Sequence, residues 1–167
     1  DYAVLNAGIA SDGDIVDLDI ASWRKTMSIN VDGTFLSLRT ALRTMKRQAS
    51  GSVVITASIS GIKAAAGTAA YSASKAATIQ LAKVAAAEAA KYGVRVNAIA
   101  PGGVDTGIWD RAEWFAPLVE QHGGRAEALA AMAKDATPLG RFASADEVAA
   151  QIGFLLSDAA ATITGTC

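Results

Sequence analysis

Apolar residues follow two rhythms along this chain. Tyr2-Ala3-Val4-Leu5 is an unbroken apolar run ended by Asn6-Ala7-Gly8, the pattern of a buried strand entering a turn. Val53-Val54-Ile55, opened by Gly51-Ser52, is a second such run, and its β-branched residues favour a strand. Val94 to Ile99 is read as a third buried strand, broken by Pro101-Gly102-Gly103. Between the first two runs, Met27, Val31, Phe35, Leu38, Leu42 and Met45 recur at helical spacing. They predict a helix over 23–47, capped by Asp19 or Ser22. Asn30 and Gly33 interrupt it in mid-course, and both are poor helix formers. A second helix is predicted over 69–92, stopped by Gly93. Residues 9–18 and 56–68 read as loops.

Strand, helix, strand, helix, strand is the order of an α/β protein with a parallel sheet. Crossovers of one hand place successive helices on the same face, so 23–47 and 69–92 are expected side by side. Beyond the third strand the rhythm changes. Residues 104–137 carry Trp109, Trp114, Phe115 and Leu118 among charged residues, then a helical Ala/Met segment at 125–134. An insertion at the carboxyl end of a strand lies where open α/β sheets bind ligands, so it is a candidate substrate lid. Ser144-Ala145-Asp146-Glu147 has the spacing of a capping box, predicting a helix over 145–157 with Val148, Ile152, Leu155 and Leu156 as its apolar face. The 167 residues are read as one domain.

Composition narrows the function. Hydrophobic residues make up 51% and charged residues 19%, which suits a packed core rather than a disordered segment. A net charge of -1 gives no electrostatic case for nucleic acid or an anionic membrane. No apolar stretch reaches the ~18 residues of a membrane-spanning helix. The first residues lack the pattern of a signal peptide. Cys167 stands alone, which fits a reducing compartment, and a cytoplasmic location is expected. With His122 the only histidine, read as a loop residue, no metal site of N/S type is expected.

The candidate chemistry lies at Tyr71-Ser72-Ala73-Ser74-Lys75. Positions four apart lie on one helix face, one turn from each other. A free phenol titrates near ~10. A cation ~4 Å away at an effective dielectric of ~20 stabilises its ionised form by roughly 4 kcal/mol, enough for acid/base work near neutral pH. Alone, the spacing also suits two unrelated surface residues. The three predicted strands, however, end in small-residue turns at one sheet edge: Asn6-Ala7-Gly8, Thr56-Ala57-Ser58 and Pro101-Gly102-Gly103. Ser58 sits just past the second strand, and the loop between it and Tyr71 can bring the two hydroxyls to one substrate oxygen.

In these motifs, in this order, the chain resembles a short-chain dehydrogenase/reductase of the compact type. The match covers Asn6-Ala7-Gly8, Asn30 within Ser28–Phe35, Ser58, Tyr71-x3-Lys75, Arg95 to Gly102, Thr106, and Pro138-Leu139-Gly140-Arg141-Phe142. The resemblance implies a Rossmann-like, doubly wound parallel sheet in three α/β/α layers, with about three of the family's strands in this chain. It implies interconversion of a secondary alcohol and a ketone with NAD or NADP. Tyr71 would be the acid/base, Ser58 would orient the substrate oxygen, and Lys75 would support Tyr71 and hold the cofactor ribose. Asn30 would hold a water linking Lys75 to solvent. Asn6, Ala7, Gly8, Tyr71, Lys75, Pro101, Gly102, Val104 and Thr106 would contact the cofactor. Ser60, Trp109, Trp114 and Phe115 are candidate substrate contacts; for Ser60 a loop role is the other reading. The lid aromatics suggest an apolar or cyclic substrate, and a 3-oxoacyl thioester is the alternative within the class. The family pairs these helices between subunits, so a homotetramer or homodimer is expected.

The family's glycine-rich phosphate turn has no counterpart in residues 1–167. The strand at 2–5 resembles the family's fourth, and a strand following Thr164-Gly165 is expected but not present. The chain is therefore expected to be the catalytic two-thirds of a subunit, poorly soluble alone and unable to bind the cofactor by itself. Other readings are an epimerase or dehydratase of the extended type with bound NAD, an inactive fragment of such an enzyme, or a non-catalytic protein on this fold. The Asn-Ala-Gly turn and mid-helix Asn30 argue against the extended type. The intact Asn30, Ser58, Tyr71 and Lys75 argue against decay in the parent protein.

Overall fold

The computed structural model describes residues 1–167, and the chain divides into two compact units. Asp1–Ala100 with Ile152–Cys167 forms the larger; Pro101–Gln151 forms the smaller.

The larger unit is built on a parallel sheet in the order β1 (Tyr2–Leu5), β2 (Gly51–Thr56), β3 (Val94–Ile99). Leu5 pairs with Ile55, and Ile55 with Ala98, so all three strands end at one edge. Alternate residues point to opposite faces. Val53, Ile55, Val94, Val96 and Ala98 form a buried cluster with Leu38, Met45, Ala82, Ala85, Ala86 and Ala89. The two long helices therefore share one face of the sheet, as crossovers of one hand require. Burying a valine or isoleucine of this kind contributes roughly 1.5–3 kcal/mol.

The expected single helix over 23–47 is three segments. Helix α1 (Ile20–Met27) starts at Asp19, whose carboxylate accepts the N–H groups of Ala21 and Ser22, each at 2.9 Å. A π-helical turn follows at Ser28–Asp32, then α2 (Gly33–Gln48). The interruption expected at Asn30 and Gly33 is thus a widened turn, in which the Gly33 N–H bonds the Ser28 carbonyl five residues back. Helix α3 (Ala69–Ala89) runs into a 3₁₀ turn at Ala90–Tyr92, and Gly93 ends it at φ +68°. A residue with a Cβ is disfavoured there.

The other face of β2 and β3 is polar where the carboxyl-terminal segment crosses it. Arg95 donates to the carbonyls of Leu155 (2.6 Å), Leu156 (3.0 Å) and Ser157 (3.0 Å) at the end of α6 (Ala145–Leu156). A guanidinium there meets carbonyls that have no helical partner. The Gly165 N–H bonds the Val96 carbonyl at 2.8 Å and the Ala98 N–H bonds the Thr166 carbonyl at 2.9 Å. The chain thus runs along the outer edge of β3 where a further strand was expected. Strand β1 departs from the buried-strand reading: Tyr2 and Val4 are exposed, because β1 is an edge strand with only one face packed.

The smaller unit holds a two-stranded parallel pair, β4 (Val104–Asp105) and β5 (Ala143–Ser144), with helices α4 (Phe115–His122) and α5 (Arg125–Ala136) between them. His122, read as a loop residue, is the last residue of α4, and Gly123 stops that helix at φ +78°. The capping box at α6 forms: the Ser144 N–H bonds the Glu147 carboxylate at 2.8 Å and the Glu147 N–H bonds Ser144 Oγ at 3.1 Å. No helix is long and apolar enough to cross a membrane.

Candidate active site

Tyr71 and Lys75 occupy the first two turns of α3, and Lys75 Nζ lies 5.7 Å from the centre of the Tyr71 ring. Lys75 is 6% exposed, and its ammonium donates to the Thr56 carbonyl at 2.9 Å, at the end of β2. Burial pushes its pKa below the usual lysine range. None of the chain's ion pairs includes Lys75, so two of its three donors are open to another acceptor.

Asn30 sits in the π turn, 1% exposed, with its amide committed to protein atoms. Oδ1 accepts the Ile9 N–H at 2.8 Å, while Nδ2 donates to the Ile9 carbonyl and to Ser74 Oγ, each at 2.9 Å. Its own carbonyl accepts the Thr34 hydroxyl at 2.7 Å. Asn30 therefore fastens the loop after β1 to α3. A backbone bond of 2.8 Å from Gly13 to the Gly67 carbonyl stitches the same loop to the turn before α3.

Gly8 borders this group. A Cβ there would lie 3.2 Å from Asn30 Oδ1 and 3.3 Å from Lys75 Nζ. Only a residue without a side chain leaves the Lys75 ammonium open to a flat ligand laid against the backbone. A buried ammonium with spare donors beside a side-chain-free turn suits the hydroxyl-bearing ribose end of a dinucleotide, and the residues present fit that group. Asn6 and Ala7 follow β1 and line a shallow groove of about 680 Å³ with residues of α2.

Ser58 heads a 3₁₀ turn at Ile59–Gly61, and its Oγ accepts the Ser60 N–H at 3.2 Å. That turn packs on α3: a Cβ on Gly61 would lie 2.7 Å from the Lys75 carbonyl carbon. Ser58, Tyr71, Lys75, Asn30 and Gly8 thus belong to one edge of the larger unit. Three members of the assembly were not read from the sequence: Ser74, the Thr56 carbonyl and Gly61. Ser74 lies inside the Tyr-x3-Lys spacing, but its partners come from elsewhere in the chain. Gly61 carried a signal only in being a glycine three residues after the expected Ser58.

The remaining candidates fall in the smaller unit. The Thr106 carbonyl accepts from Arg125 at 3.0 Å, and Val104 lies in β4. Arg125 also pairs with Asp105 at 2.7 Å and Asp110 at 2.9 Å, closing the turn that carries Thr106. Trp109 stacks on Phe142 at 5.3 Å and donates its indole N–H to the Val104 carbonyl at 2.8 Å. Phe115, expected to contact substrate, is 2% exposed and packs with Ala128 and Leu129 in the unit's core. Trp114 is 46% exposed.

A family model described as enoyl-(acyl carrier protein) reductase matches residues 1–167. The chain belongs to the short-chain dehydrogenase/reductase family. Among curated relatives of this short-chain dehydrogenase/reductase chain, the cis-4-hydroxycyclohexanecarboxylate dehydrogenase of Sinomonas cyclohexanicum is 41% identical over 99% of it. The chain spans 61% of that relative. Levodione reductase superposes with a TM-score of 0.89 at 34% identity, over 99% of this chain and 63% of that one. An NAD+-bound xylitol dehydrogenase superposes with a TM-score of 0.85 at 30% identity, over 99% and 65%. The Rossmann-like fold expected from the sequence is shared with these structures.

Proposed function

We propose that the protein carrying this chain interconverts a secondary alcohol and a ketone with NAD or NADP, using Tyr71 as the acid/base. The observation that carries this reading is the buried Lys75 ammonium, anchored on Thr56 and one helical turn from Tyr71 beside Gly8. The nicotinamide, when bound, supplies or accepts the hydride. In oxidation, the substrate O–H proton passes to the Tyr71 oxygen as the carbinol C–H bond breaks; in reduction, Tyr71 returns it. Ser58 donates a hydrogen bond to the same substrate oxygen and steadies the charge that develops there. Lys75 places a positive charge beside Tyr71 and directs its open N–H groups to the ribose hydroxyls. Asn30 and Ile9 keep the loop after β1 in register with that ammonium, and a water on Asn30 would carry protons between Lys75 and solvent. Asn6, Ala7 and Gly8 border the cofactor. Gly102, Val104 and Thr106 would contact its nicotinamide end, and Pro101 would be a further cofactor contact.

The segment 104–137 serves as the substrate lid. Trp109 and Trp114, with Phe115 packed against both rings, offer an apolar surface suited to a cyclic substrate. Ser60 is a further substrate contact. The relative that acts on a cyclohexane carboxylate supports this substrate class. Reduction of a 3-oxoacyl thioester is the second reading, favoured by a 3-oxoacyl-[acyl-carrier-protein] reductase of Aquifex aeolicus that is 36% identical over 99% of the chain. The protein acts as a homodimer or homotetramer in the cytoplasm, joined through the exposed apolar residues of α2 and α3.

The direct test follows reduced nicotinamide by absorbance in the intact protein, with cyclic secondary alcohols, small polar sugars and 3-oxoacyl thioesters, each with NAD and NADP. Turnover of cyclic alcohols ahead of sugars is expected. Preference for sugars would refute the substrate class. No net change in cofactor with any alcohol, ketone or thioester would overturn the oxidoreductase reading and leave epimerisation or inactivity.

A further inference from the structure

Ser74 stands between Tyr71 and Lys75 in sequence but takes no part in the chemistry proposed above. Its side chain is fully buried, at 0% exposure. Its hydroxyl donates to the Tyr71 carbonyl at 2.7 Å and accepts from Asn30 Nδ2 at 2.9 Å. With its one proton used on Tyr71, the oxygen can face Asn30 only as an acceptor. The Ile9 N–H and carbonyl already set which way the Asn30 amide faces, and Ser74 takes the second Nδ2 proton and ties the amide to α3. The NH₂ group must face Ser74 and the Ile9 carbonyl, and Oδ1 must face the Ile9 N–H. Oδ1 is also the atom that a Gly8 Cβ would approach at 3.2 Å, next to Lys75 Nζ at 3.3 Å. The negative end of the amide dipole is thus held on the side of the site where the ammonium lies.

We propose that Ser74 is a positioning residue of the active site. Acting through Asn30, it ties that amide to α3 and so holds the Gly8–Ile9 turn in register against Lys75. The assignment rests on the oxidoreductase reading above. Without the Ser74 oxygen, a buried Asn30 N–H has no acceptor, and the link from the Ile9 loop through this side chain to α3 is lost. A serine that only back-bonds within its helix would have no such effect on a residue 44 positions away.

The test is a double-mutant cycle in the intact protein, with Ser74→Ala, Asn30→Ala and the pair, scored by kcat, by cofactor KM and by melting temperature. Ser74→Ala is expected to lower kcat about tenfold, in keeping with the loss of one hydrogen bond to a buried donor. Cofactor KM should stay within about twofold. In the Asn30→Ala background the same substitution should change kcat by less than about twofold, because the group it acts through is gone. Effects that multiply, or a Ser74→Ala enzyme with kcat within about twofold of wild type, would overturn the assignment. Ser74→Cys keeps the volume with a weaker donor and acceptor. It should give an intermediate kcat if Ser74→Ala does not fold, and wild-type kcat in Ser74→Cys would equally overturn the assignment. Tyr71→Phe, run alongside, separates the two ideas: if it retains turnover the oxidoreductase reading fails, whereas its loss with an unaffected Ser74→Ala rejects only the role of Ser74.

Discussion

Lys75 Nζ donates a 2.9 Å hydrogen bond to the carbonyl of Thr56, joining the second turn of α3 to the end of β2. The ammonium is held there at the expense of its hydration, which lowers its pKa from the ordinary 10.5. Between the folded value and 10.5 the unfolded chain binds the extra proton, so this group's contribution to stability rises with pH across that window. Lys75→Met removes the charge but leaves the Thr56 carbonyl without its donor. Turnover should fall at least ~100-fold, in the range expected for losing acid/base support. The melting temperature of the variant relative to wild type should be highest near neutral pH and decline as pH rises toward 10.5. A pH-independent difference would contradict the burial argument.

Gly61 lies against the backbone of α3 closely enough that a Cβ would sit 2.7 Å from the Lys75 carbonyl carbon and 2.8 Å from the Ala76 nitrogen. Neither atom is the end of a flexible side chain. Gly61→Ala should therefore separate the Ser58 turn from α3. A loss of about 1–3 kcal/mol of stability is expected from such overpacking, read by urea unfolding, together with a fall in kcat. Wild-type stability with wild-type kcat would show that the turn and helix are not rigidly coupled.

At the start of α6, Arg141 and the Ser144 N–H hold the Glu147 carboxyl down to about 2. A depressed carboxyl stabilises the fold above its unfolded value of 4.5, and the contribution is lost as pH falls from there toward about 2. Glu147→Gln should melt below wild type at pH 7, with the difference narrowing below pH 4.5 and in high salt, since the pair is exposed. Thermal melts across pH and salt check this. A difference unchanged by either would point to a packing cause instead.

Helices α2 and α3 leave a cleft of about 560 Å³ between them, with Phe35, Leu42, Leu81 and Val84 on its walls. Phe35 and Val84 are nearly half exposed, at 46% and 45%. If copies of the protein meet on this face, Val84→Glu would bury a charge without a partner in the interface. Light scattering should then report a monomer for the variant and a dimer or tetramer for wild type. Identical masses for the two would move the interface elsewhere.

The parallel sheet is legible because β2 is covered on both faces, so Val53-Val54-Ile55 is written without polar alternation, whereas β3 alternates because Arg95 and Asn97 bond the carboxyl-terminal segment. Glycine punctuation is legible for a similar reason: Gly93 is needed at positive φ. The Tyr71–Lys75 spacing reads directly as one helical turn. Ser74 does not, because a helical serine is written the same way whether it meets solvent or an asparagine 44 residues earlier. The split of the 23–47 helix was visible as two poor helix formers. That the break is a π turn depends on Asn30 being drawn to Ile9, a contact no local pattern encodes. Phe115 was read with the two tryptophans as a surface for substrate. Its burial against Ala128 and Leu129 follows from how α4 meets α5, which helical periodicity alone does not specify.

The proposed chemistry rests on the Tyr71 hydroxyl, and Tyr71→Phe removes that oxygen while keeping the ring beside Lys75. Steady-state turnover and fluorescence titration with reduced cofactor, made on the same preparation of the intact protein, test it most directly. Turnover is predicted to drop by ~10²–10⁴, the span attributable to one general acid/base, with cofactor affinity within about threefold of wild type. Turnover at the wild-type rate would contradict the assignment of Tyr71 as the group that moves the proton.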